Sequence, residues 1–287
     1  MQFSDQKKGM LMAFTAVMFL TPDSLFIRLA NVSSWNLIFY RGFIPFSLVF
    51  IGLLIVYKNN FIKQTFSNGW SGIFYALIFT VTNITFVISI ENTNVANTLI
   101  MIALAPMLSA VLSFIFLKEV PDKKTWVAIF ITTVSVVFIF YDALDTGDLL
   151  GNVLGLLTAL GLAVGAVIIR SAKKIDLVPS AMFGKLLVAL IAFYFADNLN
   201  LKGSDLTIVP LMCVMCVAIP FVLVTIAPRY ITAAEVNLFF LLETILGPIW
   251  VWLVIKEQAT FETIVGGGII IVTIACHSAL SLKKHNN

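Results

Sequence analysis

Three charged side chains fall inside long apolar stretches of this sequence, where a charge has chemical consequences. Arg41 and Lys185 each lie within an apolar run, and Glu243 lies near the centre of another. If these runs cross a lipid bilayer, each buried charge costs at least about 2.5–3.5 kcal/mol on insertion scales and normally faces a partner or a cavity. Two cations and one carboxylate at such a depth are suited to binding the charged groups of a small polar molecule or to carrying a proton.

The composition indicates that the elements around these charges are transmembrane helices. The 287 residues are 60% hydrophobic and 11% charged, with a mean hydropathy of +1.02, which leaves too little polar surface for a water-soluble globule. The apolar runs are continuous rather than alternating, which favours helices over a barrel. Ten runs approach the roughly 20 residues that a helical span needs. They are residues 10–29, 35–57, 70–90, 95–117, 125–141, 149–169, 178–196, 206–227, 232–255 and 263–282.

The second half of the chain repeats the first. The stretch Asn94–Glu119 aligns without a gap with Thr232–Glu257. Five spans per repeat is an odd number, so the two repeats must run in opposite directions through the membrane. We therefore predict an all-α membrane protein of ten transmembrane helices, arranged as two inverted five-helix repeats at residues 9–141 and 147–282.

The Lys and Arg residues are spread unevenly over the predicted loops. Thirteen of the 18 lie in one alternating set of loops, and three lie in the other set. Basic residues collect on the cytoplasmic side, so both termini are predicted to lie in the cytoplasm. The chain length and the lack of a targeting peptide suit a multi-pass protein of the bacterial cytoplasmic (inner) membrane. The net charge of +3 then reflects topology, and no nucleic-acid partner is expected.

The three buried charges are predicted to lie in one layer near the centre of the membrane. At 1.5 Å per residue, Arg41 and Lys185 approach from opposite sides to about 5 Å from the midplane of a ~30 Å core. They occupy equivalent positions in the two repeats, whereas Glu243 is matched by Ala105. The packing symmetry of the repeats therefore does not require a carboxylate at position 243, but cation recognition or proton coupling would. The structural alternatives are that the cations anchor helices and that Glu243 is protonated and hydrogen-bonded.

Further residues in the same layers complete the predicted site. Asp23 lies at the depth of Arg41, so these two residues are expected to form an ion pair that is either structural or part of a gate. The predicted substrate-binding residues are Arg41, Asn83, Lys185, Asn237, Phe240, Glu243 and Trp250. Prolines inside the spans remove backbone hydrogen bonds, which is tolerated where helices line a cavity. These prolines are Pro22, Pro45, Pro106, Pro220 and Pro248.

The sequence resembles the drug/metabolite transporter superfamily, specifically the EamA-type ten-span transporters. The resemblance covers essentially the whole chain, and it is most specific in the paired segments that end in Lys118-Glu119 and Lys256-Glu257. It implies a two-repeat bundle that exports or imports amino acids and other small metabolites. It also implies that Glu119 and Glu257 are structural and accept hydrogen bonds at helix ends.

We predict a secondary transporter that moves a small polar metabolite, an amino acid or a similar zwitterion, by alternating access. Arg41 or Lys185 would bind a carboxylate, and Glu243 would bind an ammonium group or a coupling proton. The alternative is an organic-anion or phosphorylated-metabolite carrier that uses Arg41 and Lys185 together. The sequence contains no Ser-His-Asp, HExxH or phosphate-loop pattern, so no enzymatic activity, metal site or cofactor is predicted. Coupling to protons or to a counter-substrate stays open, as does a homodimer through the predicted peripheral spans five and ten.

Overall fold

The computed structural model describes residues 5–118, 123–146, 148–172, 175–227, 230 and 233–285, and the regular elements among them are all helical. The α-helices are α1 (Asp5–Leu20), α2 (Asp23–Leu29), α3 (Ser34–Tyr57), α4 (Phe61–Phe66), α5 (Gly69–Asn92), α6 (Val95–Ile102), α7 (Ala105–Leu117), α8 (Lys123–Thr146), α9 (Leu149–Ser171), α10 (Val178–Phe195), α11 (Asp205–Met212), α12 (Ile219–Ile226), α13 (Ala233–Ile255) and α14 (Phe261–His285). A short 3-10 helix (Lys58–Asn60) precedes α4, and a π-helical segment (Cys213–Ala218) joins α11 to α12.

These helices form the ten predicted spans. Within the described residues, seven helical stretches are long and apolar enough to cross a membrane, and three shorter apolar helices within α8, α13 and α14 supply the remaining spans. Span 1 is α1 with α2, span 2 is α3, span 3 is α5, span 4 is α6 with α7, and span 5 is α8. Span 6 is α9, span 7 is α10, span 8 runs from α11 to α12, and spans 9 and 10 are α13 and α14. The predicted all-α membrane fold is confirmed.

The packing of the spans has the symmetry of two inverted repeats. Span 1 packs on spans 8 and 9, and its counterpart, span 6, packs on spans 3 and 4. Spans 2 and 7, spans 4 and 9, and spans 5 and 10 pack on each other across the repeats. The pattern is unchanged when the two repeats are exchanged, as a twofold axis in the membrane plane requires. We call the end of the bundle where α1 begins the near face, and the end where α2 finishes the far face.

Three spans that are continuous as apolar runs are interrupted at proline. Span 1 breaks between α1 and α2 immediately before Pro22 and Asp23, and span 4 breaks between α6 and α7 just ahead of Pro106. Span 8 changes to π-helical geometry over Cys213–Ala218, and Pro220 follows. A proline cannot donate to the carbonyl four residues before it, so the helix is weakened there. These breaks lie in spans 1, 4 and 8, and their counterparts, spans 6, 9 and 3, remain continuous helices.

Spans 5 and 10 lie at the edge of the bundle. They pack on each other, and a cluster that includes Met101, Met107, Ile139 and Ile270 joins them to span 4. Large apolar side chains of both helices are exposed on the remaining sides, as a lipid-facing surface requires. The charged residues predicted to bind substrate all belong to the other spans.

Candidate functional site

A buried ion pair joins span 1 to span 2 at the centre of the bundle. The two terminal nitrogens of Arg41 donate to the two carboxylate oxygens of Asp23, at 2.5 and 2.7 Å. Asp23 is the first residue after the proline break, so the interruption of span 1 sets the position of its carboxylate. Phe86 and the Met212 sulfur also contact the guanidinium, at 5.7 Å to the ring centroid and 3.5 Å. Because this geometry is bidentate and buried, Asp23 largely neutralises the charge of Arg41.

The ammonium group of Lys185 has a neutral partner instead of a carboxylate. Lys185 is 2% exposed, and its Nζ donates to the Oδ1 of Asn83 on span 3. The ring of Phe79, one helical turn earlier, lies beneath the ammonium with its centroid 5.4 Å away. No ion pair to Lys185 is found in the described part of the chain. Within the described residues, Lys185 is therefore hydrogen-bonded to a neutral amide and has no carboxylate partner.

Glu243 is the complementary case, a buried carboxylate without a fixed partner. It is 8% exposed and lies in the middle of α13. Among the described residues it has no hydrogen bond and no ion pair. Glu243 and Lys185 each interact electrostatically with both Asp23 and Arg41. We call Asp23, Arg41, Lys185 and Glu243 the central cluster. Its Asp23–Arg41 pair is closed, whereas Lys185 and Glu243 have no ion pair among the described residues.

A glycine allows the helices that carry the two cations to come into direct contact. Gly42 follows Arg41, and a Cβ atom at this position would lie 2.6 Å from the backbone nitrogen of Ala189 and 2.8 Å from the carbonyl oxygen of Lys185. Only a residue without a side chain permits this approach of backbone to backbone. The contact between spans 2 and 7 therefore fixes the position of Arg41 relative to Lys185.

Polar contacts between spans and loops join the helices across the far face. Arg28 at the end of α2 donates to the carbonyl oxygen of Thr93 at 2.7 Å, and its Nε lies 3.1 Å from Glu257. The other carboxylate oxygen of Glu257 accepts a hydrogen bond from the backbone N–H of Val95, at the start of α6. Glu257 thus has the helix-end contact that the family resemblance implies, whereas Glu119 lies outside the described residues. Four more contacts across this face are Ser34 with Glu91, Asn31 with Asp205, Asn36 with Asn198 and Tyr40 with Leu199.

Two open clefts lie away from the charged cluster. One, of about 370 Å³, is at the far face beside Glu257. The other, of about 560 Å³, is an apolar groove between α3 and α12 that reaches Tyr57 and Asp176 near the near face. Spans 2 and 8 pack together in the π-helical segment, and the groove between them runs from Val214 in that segment to Ile226 in α12. None of the four ionisable residues of the central cluster lines either cleft.

Comparison with known proteins identifies the family. The sequence matches the EamA-like transporter family twice, over residues 7–141 and over residues 149–279. The chain belongs to this family. A solved crystal structure resembles the EamA-like chain with a TM-score of 0.69 at 14% sequence identity, covering 96% of this chain and 98% of the other. At this identity the likeness concerns the fold alone. Comparison with curated proteins gives no significant match.

This EamA-like protein is therefore a multi-pass membrane transporter of the drug/metabolite type, and members of this family are transporters rather than enzymes. As a transporter, it contacts the lipid bilayer and a small-molecule substrate. Of the residues predicted for the site, the structure brings Asp23, Arg41, Asn83, Lys185 and Glu243 together through direct or electrostatic contacts.

The remaining predicted residues of the transporter lie in different surroundings. Phe240 is half-buried and packs on α1 and α12 through Ala13 and Ala227. Trp250 is 39% exposed, and its indole N–H donates to the hydroxyl of Thr21 at 3.3 Å. The side chain of Asn237 lies outside the part of the chain that the structure describes.

Two contributions to this site were missed by sequence reasoning. The Thr21 hydroxyl donates to the carbonyl oxygen of Met18, the group that Pro22 leaves without its backbone donor. The Thr21-Pro22 sequence could have indicated this hydrogen bond, because the threonine hydroxyl can replace the backbone donor that the proline lacks. The second contribution is an aromatic contact between Phe79 and Phe221, with ring centroids 5.6 Å apart. Phenylalanine is so frequent in this chain, with 25 residues, that no sequence signal distinguished these two.

Proposed function

We propose that this EamA-like transporter carries a small zwitterion of the amino-acid type, which binds at the central charged cluster. The observation that carries the proposal is that Lys185 and Glu243, a basic and an acidic side chain buried beside the closed Asp23–Arg41 pair, have no ion-pair partner among the described residues. A buried charge without a counter-ion is costly in a membrane protein. A cargo with one carboxylate and one ammonium group would supply both missing partners without changing the net charge of the site.

The geometry distinguishes the two candidate cations. Both terminal nitrogens of Arg41 are engaged by Asp23, so Lys185 is the cation with donors left for a substrate carboxylate. An ammonium has three donors, and Asn83 takes one of them. Glu243 is then the partner for the substrate ammonium or for a coupling proton. A phosphorylated or other organic anion would need both cations, and the engagement of Arg41 by Asp23 makes this alternative less favourable.

Alternating access is the mechanism that this architecture supports. The far face is tied by Arg28, Glu257 and the neighbouring contacts, while spans 2 and 8 separate toward the near face. The proline breaks in spans 1, 4 and 8 provide places where one half of a span can tilt relative to the other. The excess of Lys and Arg in the near-face loops supports a cytoplasmic near face, in a bacterial inner membrane.

Replacing Glu243 with glutamine is expected to reduce transport by at least about tenfold, because one charge-assisted hydrogen bond to the cargo is worth about 1.5–3 kcal/mol. The measurement is counterflow of a labelled L-amino-acid mixture into proteoliposomes over a range of pH. Glu262→Gln, at the start of the peripheral α14, is the matched control and should behave as wild type. Equal flux in wild type and Glu243→Gln at every pH would remove Glu243 from the mechanism.

A further inference from the structure

Asn83 is held in one orientation by two groups of opposite hydrogen-bonding character. Its Nδ2 donates to the backbone carbonyl of Phe79 at 2.7 Å, and its Oδ1 accepts from Lys185. A carbonyl can only accept and an ammonium can only donate, so the two ends of the amide cannot be exchanged. The side-chain oxygen of Asn83 therefore points at the ammonium because helix α5 itself fixes the other end of the amide.

The neutrality of Asn83 matters as much as its orientation. Asn83 accepts one hydrogen bond from Lys185 without cancelling its charge, and Phe79 covers another side of the ammonium with an apolar ring. The Asp23–Arg41 pair in the same cluster shows the contrasting arrangement, in which a carboxylate closes the cation. An aspartate at position 83 would have nearly the same shape as asparagine, and its carboxylate would form an ion pair with Lys185 as Asp23 does with Arg41.

We propose that Asn83 is a positioning residue that determines specificity, because it holds Lys185 in place as an uncancelled cation and so reserves that charge for an anionic group of the cargo. This inference rests on the proposed function and makes it more specific. It assigns the preference for a carboxylate-bearing cargo to a residue that need not touch the cargo itself. The preference should therefore depend on a neutral hydrogen-bond acceptor at position 83.

The test compares cargo with and without a carboxylate. Counterflow of a labelled L-amino-acid mixture into proteoliposomes is competed either by unlabelled L-amino acids or by the amines that the same amino acids yield on decarboxylation. In the wild type, the amines should compete at least about tenfold less well, the value of one charge-assisted hydrogen bond. In Asn83→Asp the amino acids and the amines should compete almost equally well, because the introduced carboxylate forms an ion pair with Lys185 and the cargo carboxylate loses this partner.

The chain offers a matched control on the same helix. Asn92 also donates from its side-chain amide to the carbonyl four residues earlier, Ile88, at 2.7 Å, but it is exposed and does not contact Lys185. Asn92→Asp should leave the discrimination unchanged. A loss of discrimination in both variants would indicate an unspecific effect of charge on α5 and would overturn the inference.

Two further outcomes are decisive. If L-amino acids do not compete in the wild type, the proposed function fails and the inference fails with it. If the wild type discriminates and folded Asn83→Asp discriminates equally, the inference alone fails.

Should Asn83→Asp not accumulate as folded protein, Asn83→Thr and Asn83→Leu replace it. Threonine keeps a neutral acceptor and should retain the discrimination within about threefold, whereas leucine should lose it. Equal discrimination by these two variants would overturn the inference.

Discussion

Replacing Asp23 with asparagine is expected to destabilise the transporter by about 3–5 kcal/mol, the cost of removing one partner from a buried ion pair. Asp23 is 1% exposed and Arg41 is 6% exposed, so solvent cannot compensate the guanidinium once the carboxylate is gone. Asparagine can accept one of the two hydrogen bonds but carries no charge. Most of the loss therefore comes from the uncompensated cation and not from a missing contact.

The thermal unfolding of the detergent-solubilised protein, with and without Asp23→Asn, measures this effect. Asp197→Asn, in an exposed loop at the far face, is the control and should change the free energy of unfolding by less than about 0.5 kcal/mol. The double variant Asp23→Asn/Arg41→Gln should be less destabilised than the sum of the two single variants, because it leaves no isolated charge. Additive losses, or a loss below about 1 kcal/mol in Asp23→Asn, would show that the pair is not energetically coupled.

The difference between the two repeats explains why Arg41 and Lys185 have different partners in the cluster. Arg41 and Lys185 occupy equivalent positions in the two repeats, yet within the described part of the chain Arg41 has an acidic partner and Lys185 has none. Span 1 supplies Asp23 at its proline break, whereas its counterpart, span 6, is a continuous helix. The difference between the repeats thus leaves Arg41 paired with a carboxylate and Lys185 hydrogen-bonded to a neutral amide.

The architecture could be predicted because its signals are local in sequence. Span length is readable from continuous hydropathy, and the inverted relation follows from a gap-free repeat combined with an odd number of spans. Depth was also predictable, since each helical residue advances by a constant 1.5 Å. Counting residues from the span ends therefore placed Asp23 and Arg41 at one level before their contact was seen.

The partners within one level could not be predicted in the same way. Depth gives the height of a residue but not the direction in which its side chain points, which depends on the rotation of each helix in the bundle. Asn83 was predicted to bind the substrate, and its oxygen contacts Lys185 in the structure. Trp250 was also predicted to bind the substrate, and its indole N–H contacts Thr21 beside the break in span 1. In both cases the protein partner is a residue from another span whose angular position the sequence does not report, and substrate binding by the two residues stays a prediction.

Replacing Gly42 with alanine is expected to destabilise the transporter by about 1–3 kcal/mol, the usual cost of adding a methylene to a packed core. The added Cβ would lie within 3.0 Å of backbone atoms of Ala189 and Lys185, which cannot move aside as a flexible side chain can. Spans 2 and 7 must therefore separate. Because Arg41 and Lys185 sit on the two sides of this contact, the separation also alters the charged cluster.

Gly52 on the same helix separates this packing effect from the general effect of removing a glycine. A Cβ at Gly52 meets no atom within 4 Å, so Gly52→Ala should be neutral or stabilise α3 by up to about 1 kcal/mol through its higher helix propensity. Thermal unfolding and amino-acid counterflow of both variants should show losses for Gly42→Ala alone. Equal stability of the two variants would mean that spans 2 and 7 do not meet at Gly42, and the positions of Arg41 and Lys185 relative to each other would then need another cause.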